Sequence, residues 1–261
     1  MSSVDPARQV PLLELKGISK RFGAVEALVG VDFEAYRGEV VALVGDNGAG
    51  KSTLIKVISG INTPDAGEFR FEGRPVSARG PHEMAQLGIA TVYQDLALCD
   101  NLDVVANLFL GREARRGVTR LLDEVTMEQR AFGVLKNLSI KIPSLRKPVA
   151  TLSGGQRQAV AVARSIMWQT HLVLLDEPTA ALGVAQTKQV LELIGHLREQ
   201  GLGVVVISHN LADVFEVCDR IVVLRLGRRV ADFKVREASR EQVVSAITGA
   251  DVAPLLAKAS G

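Results

Sequence analysis

The sequence predicts an α/β fold built on a parallel sheet, with an antiparallel β region at its start and a helical subdomain inserted within it. Three observations lead there. The apolar runs at 40–44, 171–175 and 203–208 are near-continuous, as in strands buried on both faces. They alternate with helical patterns in a β-α-β rhythm. From Asp95 onward, β-branched runs give way to apolar positions at helical spacing. The expected layout is one domain over 1–261, with an α/β core over about 12–94 and 165–249, a helical subdomain over about 95–164, and a short tail over 250–261.

With 261 residues and 47% hydrophobic content the chain can bury a sizeable core. Thirty-one basic against 29 acidic residues leave a formal charge of +2, so no long-range field recommends nucleic acid as a partner. Cys99 and Cys218 stand far apart and outside any metal-ligand spacing. A reduced intracellular compartment is therefore the expectation. Met1 to Val10 carries Asp5, Pro6 and Arg8 rather than an apolar stretch, and no run approaches the ~18 residues that span a bilayer. Any membrane role is expected to be peripheral.

From Leu12 to Tyr36 apolar residues alternate, with Gly23, Gly30 and Gly38 as punctuation, which predicts short antiparallel strands. Phe22 falls in a turn between two of them, where its ring is either core or a ligand contact. Val40 to Val44 is a buried strand leading into the stretch Gly45-Asp46-Asn47-Gly48-Ala49-Gly50-Lys51-Ser52-Thr53, and Leu54 to Ser59 continues as helix to a Gly60 cap. Glu68 to Gly73 alternates as a strand with one wet face, Pro81 to Gly88 reads as a short helix, and Ile89 to Tyr93 as a buried strand ending at Gln94. Thr126 to Gln129 forms a capping box ahead of Met127, Ala131, Val134, Leu135 and Leu138 at helical spacing. The four arginines between Gly111 and Arg120 suggest a solvated loop more than an anion patch.

Leu152-Ser153-Gly154-Gly155-Gln156 precedes a helix whose apolar face is Val160, Val162, Ala163, Ile166 and Met167, with Trp168 as packing at its end. The strand His171 to Leu175 runs into Asp176-Glu177-Pro178, a helix spans Ala185 to Gln200, and a second buried strand, Gly203 to Ser208, ends at His209. Arg220 to Leu226 and Val230 to Phe233 form a hairpin about Gly227. Ser239 to Gln242 is another capping box, opening a helix that ends at Gly249, and the tail from Asp251 is expected to fray.

Strand, glycine loop and helix in that order are the context of the P-loop pattern Gly45 to Thr53. Such a loop turns successive N–H groups towards phosphates, and the helix behind it adds the positive end of its dipole. A side chain at Gly50 would obstruct that approach. Lys51 is placed to reach the β- and γ-phosphates, the Ser52 hydroxyl to ligate Mg²⁺, and Thr53 to add an α-phosphate contact. Alone, this loop leaves kinases, GTPases and motor proteins open. Its companions narrow the choice: Gln94, Leu152 to Gln156, Asp176-Glu177 and His209 form one ordered set, each beside a strand end or a helix start.

Together these motifs resemble the ATP-binding subunit of ABC transporters, over roughly Leu12 to Gly249. The resemblance implies the ABC ATPase fold: a P-loop NTPase core with a parallel sheet, an N-terminal antiparallel β subdomain and the inserted helical subdomain. It implies that Phe22 stacks on adenine, where the family commonly has Tyr. Gly45, Asn47, Gly48, Gly50, Lys51, Ser52 and Thr53 would hold ATP. Asp176 would hold Mg²⁺ through water, together with Ser52 and Gln94. Gln94 would also contact the attacking water, while its loop touches the membrane partner. Glu177 is the family's candidate general base, and His209 contacts the γ-phosphate. Two adjacent carboxylates beside a triphosphate also repel without a cation. His82, His171 and His196 read as surface or packing residues.

Ser153, Gly154, Gly155 and Gln156 crown a helix N-terminus and so form an anion site. The P-loop already supplies one, so a second makes sense when it comes from another protomer. In this family two subunits clamp two ATP molecules head to tail, and with one P-loop per chain the resemblance implies a homodimer. One position departs from the pattern, since after Glu177 to Leu182 the family usually places Asp and here stands Gly183. Weaker communication between the two sites is the expectation.

The stretches Gln94 to Leu98, Phe109 to Glu113 and Ala180 to Val184 are similar to the monosaccharide-import branch, in the single-domain form of the fructose and xylose importers. That implies transmembrane permease subunits as direct partners, a sugar-binding protein as an indirect one, no nucleic acid, and a place on the cytoplasmic face of the membrane. The absence of a long C-terminal extension speaks against the maltose-type subunits. An exporter subunit or a soluble ABC-type ATPase is the alternative.

Overall fold

In the computed structural model, which describes residues 10–77, 80–117 and 121–250, the chain opens with two long antiparallel strands, β1 (Leu13–Phe22) and β2 (Val25–Ala35). Inward-facing Leu13, Leu15, Ile18, Val31 and Phe33 are fully buried, while the intervening polar residues stay wetter. β3 (Val40–Val44) ends at the glycine loop, and α1 (Lys51–Ile58) follows it directly. β4 (Ala66–Phe71) and β5 (Arg74–Pro75) complete an antiparallel sheet in the order β2-β1-β4-β5. α2 (Pro81–Gln86) and β6 (Ile89–Val92) return the chain to the second sheet.

The helical insertion then begins. It contains α3 (Val104–Phe109), capped by the Asp103 carboxylate accepting from the Ala106 amide at 2.7 Å. A two-stranded ribbon of β7 (Arg115–Arg116) and β8 (Leu121–Leu122) follows, where a loop was expected. Next comes α4 (Glu124–Asn137), which buries Met127, Ala131 and Leu135 at helical spacing. Its cap corrects the expected Thr126–Gln129 box: the helix starts earlier, because Asp123 accepts from both the amide and the hydroxyl of Thr126. Asp is a better N-cap than Thr, and it comes first in the chain, so the helix starts at Asp123 and Thr126 falls inside its first turn.

α5 (Gly154–Ile166), β9 (Leu172–Asp176), α6 (Val184–Glu199), β10 (Gly203–Ile207), α7 (Leu211–Val217), β11 (Arg220–Arg225), β12 (Arg228–Lys234) and α8 (Arg240–Thr248) complete the described chain. The Ser239–Gln242 box caps α8 as expected, and Gly249 closes it at φ +77°. The expected fraying after Asp251 lies outside the described residues, as does Arg120.

The larger sheet has the order β12-β11-β3-β10-β9-β6, in which all neighbours are parallel except the β11–β12 hairpin. Its strands read as unbroken apolar runs because both faces are covered. In β3, Val40, Ala42 and Val44 join the core beneath the helices, while Val41 and Leu43 join the core shared with the antiparallel sheet. β9 and β10 divide in the same way, as the two-residue period of a strand requires. The ABC ATPase fold expected from the motifs is the architecture observed.

Candidate functional site

Strand register places the motifs together. Ile207 of β10 pairs with Leu43 of β3 and Asp176 of β9, and Leu175 pairs with Val92 of β6. The glycine loop, His209, Asp176-Glu177 and Gln94 thus leave the C-terminal ends of four adjacent parallel strands at one level. That edge is where open α/β sheets bind ligands.

The glycine loop is shaped by its backing. Gly45 has φ +151°, and a Cβ there would lie 2.2 Å from the Leu224 carbonyl oxygen. At Gly50, φ is +103° and a Cβ would sit 2.7 Å from the Ala27 carbonyl oxygen and 3.0 Å from Leu28. A side chain there meets β2, which gives glycine at this position a packing reason beside the expected one. Gly227 of the β11–β12 turn donates to the Ala49 carbonyl at 3.1 Å and steadies the loop from below. α1 starts with no side chain capping it and no acid in its first turn, which leaves its positive end for an anion.

Lys51 Nζ donates to the carbonyls of Gly45 (2.6 Å) and Asp46 (3.0 Å), so the ammonium lies against the loop. Burial lowers its pKa, and Glu177, Asp46 and Asp176 oppose that shift. Half-buried Asp176 has its pKa raised, by burial first and by the Glu177 charge second, with Lys51 and Lys56 pulling the other way. Two carboxylates and an ammonium therefore face one space. Ser52 and Gln94 are exposed at the same edge. A hydroxyl, a carboxylate and an amide are hard oxygen donors of the kind Mg²⁺ takes alongside phosphate oxygens, and a cation there would relieve the Asp176–Glu177 repulsion.

His209 Nδ1 lies 2.8 Å from Glu177 Oε2, the imidazole largely exposed and the carboxylate mostly covered. Glu177 itself has φ +50° and its amide donates to the Ile207 carbonyl at 3.0 Å. A left-handed glutamate is a strained conformation of the sort found at functional sites. Phe22 is the last residue of β1, not a turn residue, and its ring is 48% exposed with Lys20 Nζ 5.6 Å from its centroid. The core alternative for Phe22 is thus removed.

Ser153 caps α5 in a reciprocal box, accepting from the Gln156 amide at 3.3 Å while the Gln156 side chain accepts from the Ser153 amide at 3.0 Å. The two signature glycines pack closely against the segment that enters α6. A Cβ at Gly154 would lie 2.8 Å from Leu182, and one at Gly155 would lie 3.2 Å from Gln186. Gly183 is the N-cap of α6.

Sequence reasoning missed two features. Thr179 donates to buried Asp213 at 2.6 Å. Arg164 donates to the carbonyls of Ala97 (2.7 Å) and Leu96 (2.9 Å), both left-handed residues just after Gln94. A groove of 380 Å³ lies beside them, lined by Tyr93, Leu110, Arg112 and Trp168 among others. A lone arginine or aspartate in a helix carries no motif, so neither could be found by pattern.

Comparison with known proteins shows the family to which the fold belongs. Residues 28–180 match the ABC transporter family. The chain is 49% identical over 252 residues to the fructose import ATP-binding protein FrcA of Rhizobium meliloti, covering 94% of this chain and 97% of that one. It is 47% identical over 237 residues to the xylose/arabinose import ATP-binding protein XylG of Sulfolobus acidocaldarius, covering 91% and 94%. Among solved structures, a dimeric ATP-binding cassette in a post-hydrolysis state bound to ADP and phosphate superposes with a TM-score of 0.72 at 27% identity, over 87% of this chain and all of that one. This chain belongs to the ABC transporter family.

Proposed function

We propose that this chain is the ATP-hydrolysing subunit of a monosaccharide importer, acting as a pair of copies that close head to tail on two ATP molecules. The observation that carries the nucleotide chemistry is the convergence of four strand-end elements on one edge, with Glu177 and His209 2.8 Å apart among them. The sugar-import role is supported by the two relatives, whose length this chain matches almost end to end.

In this reading the backbone of Gly45 to Gly50 and the first turn of α1 bind the β- and γ-phosphates, and Asn47 and Thr53 add contacts at the loop's two ends. Lys51 exchanges its two loop carbonyls for phosphate oxygens. Phe22 offers an exposed ring to adenine. Ser52, Asp176 and Gln94 would hold Mg²⁺, which supplies charge neutralisation at the phosphates when bound. Glu177 takes the proton of the attacking water, and His209, 2.8 Å from that carboxylate, contacts the γ-phosphate. The Ser153-headed helix of one copy, with Gly154, Gly155 and Gln156, meets the γ-phosphate on the loop of the other.

The groove beside Gln94 is where we place the permease subunits, since Arg164 ties that loop to α5 and movement at the metal site would be felt there. Among the described residues no helix is long and apolar enough to cross a membrane. A peripheral place on the cytoplasmic face, held by the permease, fits that reading.

The test is ATPase activity and sugar uptake in vesicles holding the chain with its permease and a sugar-loaded binding protein. Glu177→Gln is expected to keep ATP binding, to lose ~10²- to 10⁴-fold in hydrolysis and to stop uptake. Full turnover in that variant rejects Glu177 as base, and uptake without ATP consumption rejects the motor role.

A further inference from the structure

Asp213 is a carboxylate only 8% exposed, in the first turn of α7, immediately after the loop that carries His209. A buried charge is costly unless it is hydrogen-bonded. The donor is the hydroxyl of Thr179, at 2.6 Å from Oδ2, the short distance of a charge-assisted bond. Thr179 lies two residues beyond Glu177, in a turn that holds two left-handed non-glycine residues, Glu177 at φ +50° and Ala181 at φ +59°. Backbone bonds from Ala180 to the Glu177 carbonyl (3.1 Å) and from Leu182 to the Thr179 carbonyl (3.3 Å) close this turn on itself. They do not attach it to the neighbouring strand end.

Among the described residues, the turn after β9 is attached at three points to the run from the end of β10 to the first turn of α7. One is the Glu177 amide on the Ile207 carbonyl, one is the Glu177–His209 pair itself, and the third is Thr179–Asp213. The His209 side chain is 74% exposed, so packing does not hold its imidazole. Its position follows from the backbone that leads into α7, and α7 is tied to the Glu177 turn by Asp213.

We infer that Asp213 and Thr179 are positioning residues for hydrolysis: their hydrogen bond fixes the spacing between the two loops and so keeps Glu177 and His209 in line with the attacked phosphate. This rests on the reading that Glu177 and His209 act on the water and the γ-phosphate. Neither Asp213 nor Thr179 belongs to the glycine loop, so nucleotide binding there does not depend on the bond. The effect belongs in the rate of the chemical step, where a displacement on the order of 1 Å is worth up to ~10²-fold.

The experiment is steady-state ATPase kinetics and thermal stability of the full chain carrying Thr179→Val, Thr179→Ser, Asp213→Leu, or Thr179→Val with Asp213→Leu, beside Glu177→Gln. Thr179→Val keeps the shape, removes the donor and leaves a buried carboxylate unsatisfied. It is expected to lower kcat roughly 10-fold with KM for ATP changed less than about twofold, and to lower Tm. Thr179→Ser keeps the hydroxyl and restores both. The double variant removes both polar partners, so Tm returns towards that of the parent, while kcat stays low because the loops remain untied. Recovery of kcat together with Tm in the double variant would show a merely structural bond and overturn the inference. So would an unchanged kcat in Thr179→Val while Glu177→Gln is inactive. Turnover by Glu177→Gln at the parental rate would instead remove the reading of the site, and the positioning role with it.

Discussion

Gly183→Asp tests the position where the resemblance leads one to expect Asp and this chain has glycine. Gly183 begins α6 with φ −73° and ψ 162°, backbone that any residue adopts, and nothing lies within 4 Å of a Cβ built there. No side chain caps the helix, and its first turn holds no acid. An aspartate therefore enters without strain and gives the first-turn amides an acceptor, worth a few tenths of a kcal/mol over glycine at an N-cap. Its charge at the positive end of the dipole adds about 0.3–1 kcal/mol. The sum is about 1 kcal/mol, which for a chain of this length raises Tm by roughly 2–4 °C. Differential scanning fluorimetry of the two proteins without nucleotide measures it. An unchanged or lower Tm would refute the placement of Gly183 as an open cap. The same variant should alter the ATPase rate or the lifetime of the ATP-bound dimer. Identical values would dismiss a role for this position in coupling the two sites.

Other outcomes follow from the same geometry. Gly50→Ala should cost about 2–4 kcal/mol, because a Cβ at φ +103° meets the Ala27 carbonyl at 2.7 Å. Gly48→Ala, with φ +80° and open space, should cost only the backbone term of about 1–2 kcal/mol, and chemical denaturation of the pair separates the two. Asp176→Asn should abolish hydrolysis yet raise the Tm of the nucleotide-free chain at neutral pH. The Asp176 pKa is raised in the fold by burial and by Glu177, so the folded state binds the proton more tightly, and ionised Asp176 destabilises it. Stability from this group is therefore lost as pH rises through the raised pKa. The Tm advantage of the asparagine should shrink as pH falls through the acid range, and an advantage that grows instead would contradict the sign.

Much of this was legible from residues alone, for physical reasons. Strands buried on both faces have to be apolar throughout, so β3, β9 and β10 announced themselves, and their ends marked the site. The Ser153–Gln156 and Ser239–Gln242 boxes were readable because each residue's partner is local. Thr126–Gln129 misled because Asp123, also a good cap, stood three residues ahead of Thr126 and took the position. The packing reason for Gly50 was out of reach, since the carbonyl it must avoid belongs to Ala27, which is distant in sequence. The ribbon at Arg115–Leu122 is short and carries arginines and exposed leucines on opposite strands, a pattern with no alternation to detect. Thr179–Asp213 spans 34 residues between two unremarkable side chains, and only the fold reveals it.

In the proposed function, two copies of this chain enclose each triphosphate between the glycine loop of one and the Ser153-headed helix of the other. Thr151 and Asp46 are exposed neighbours of those two elements. The most direct measurement mixes a chain carrying Asp46→Cys with one carrying Thr151→Cys, both with Glu177→Gln and Cys99→Ser, and reads intermolecular disulfide formation on a gel. The expected result is a crosslinked heterodimer that forms with ATP and not with ADP. Failure of the two chains to join under saturating ATP, while each still binds the nucleotide, would contradict the claim.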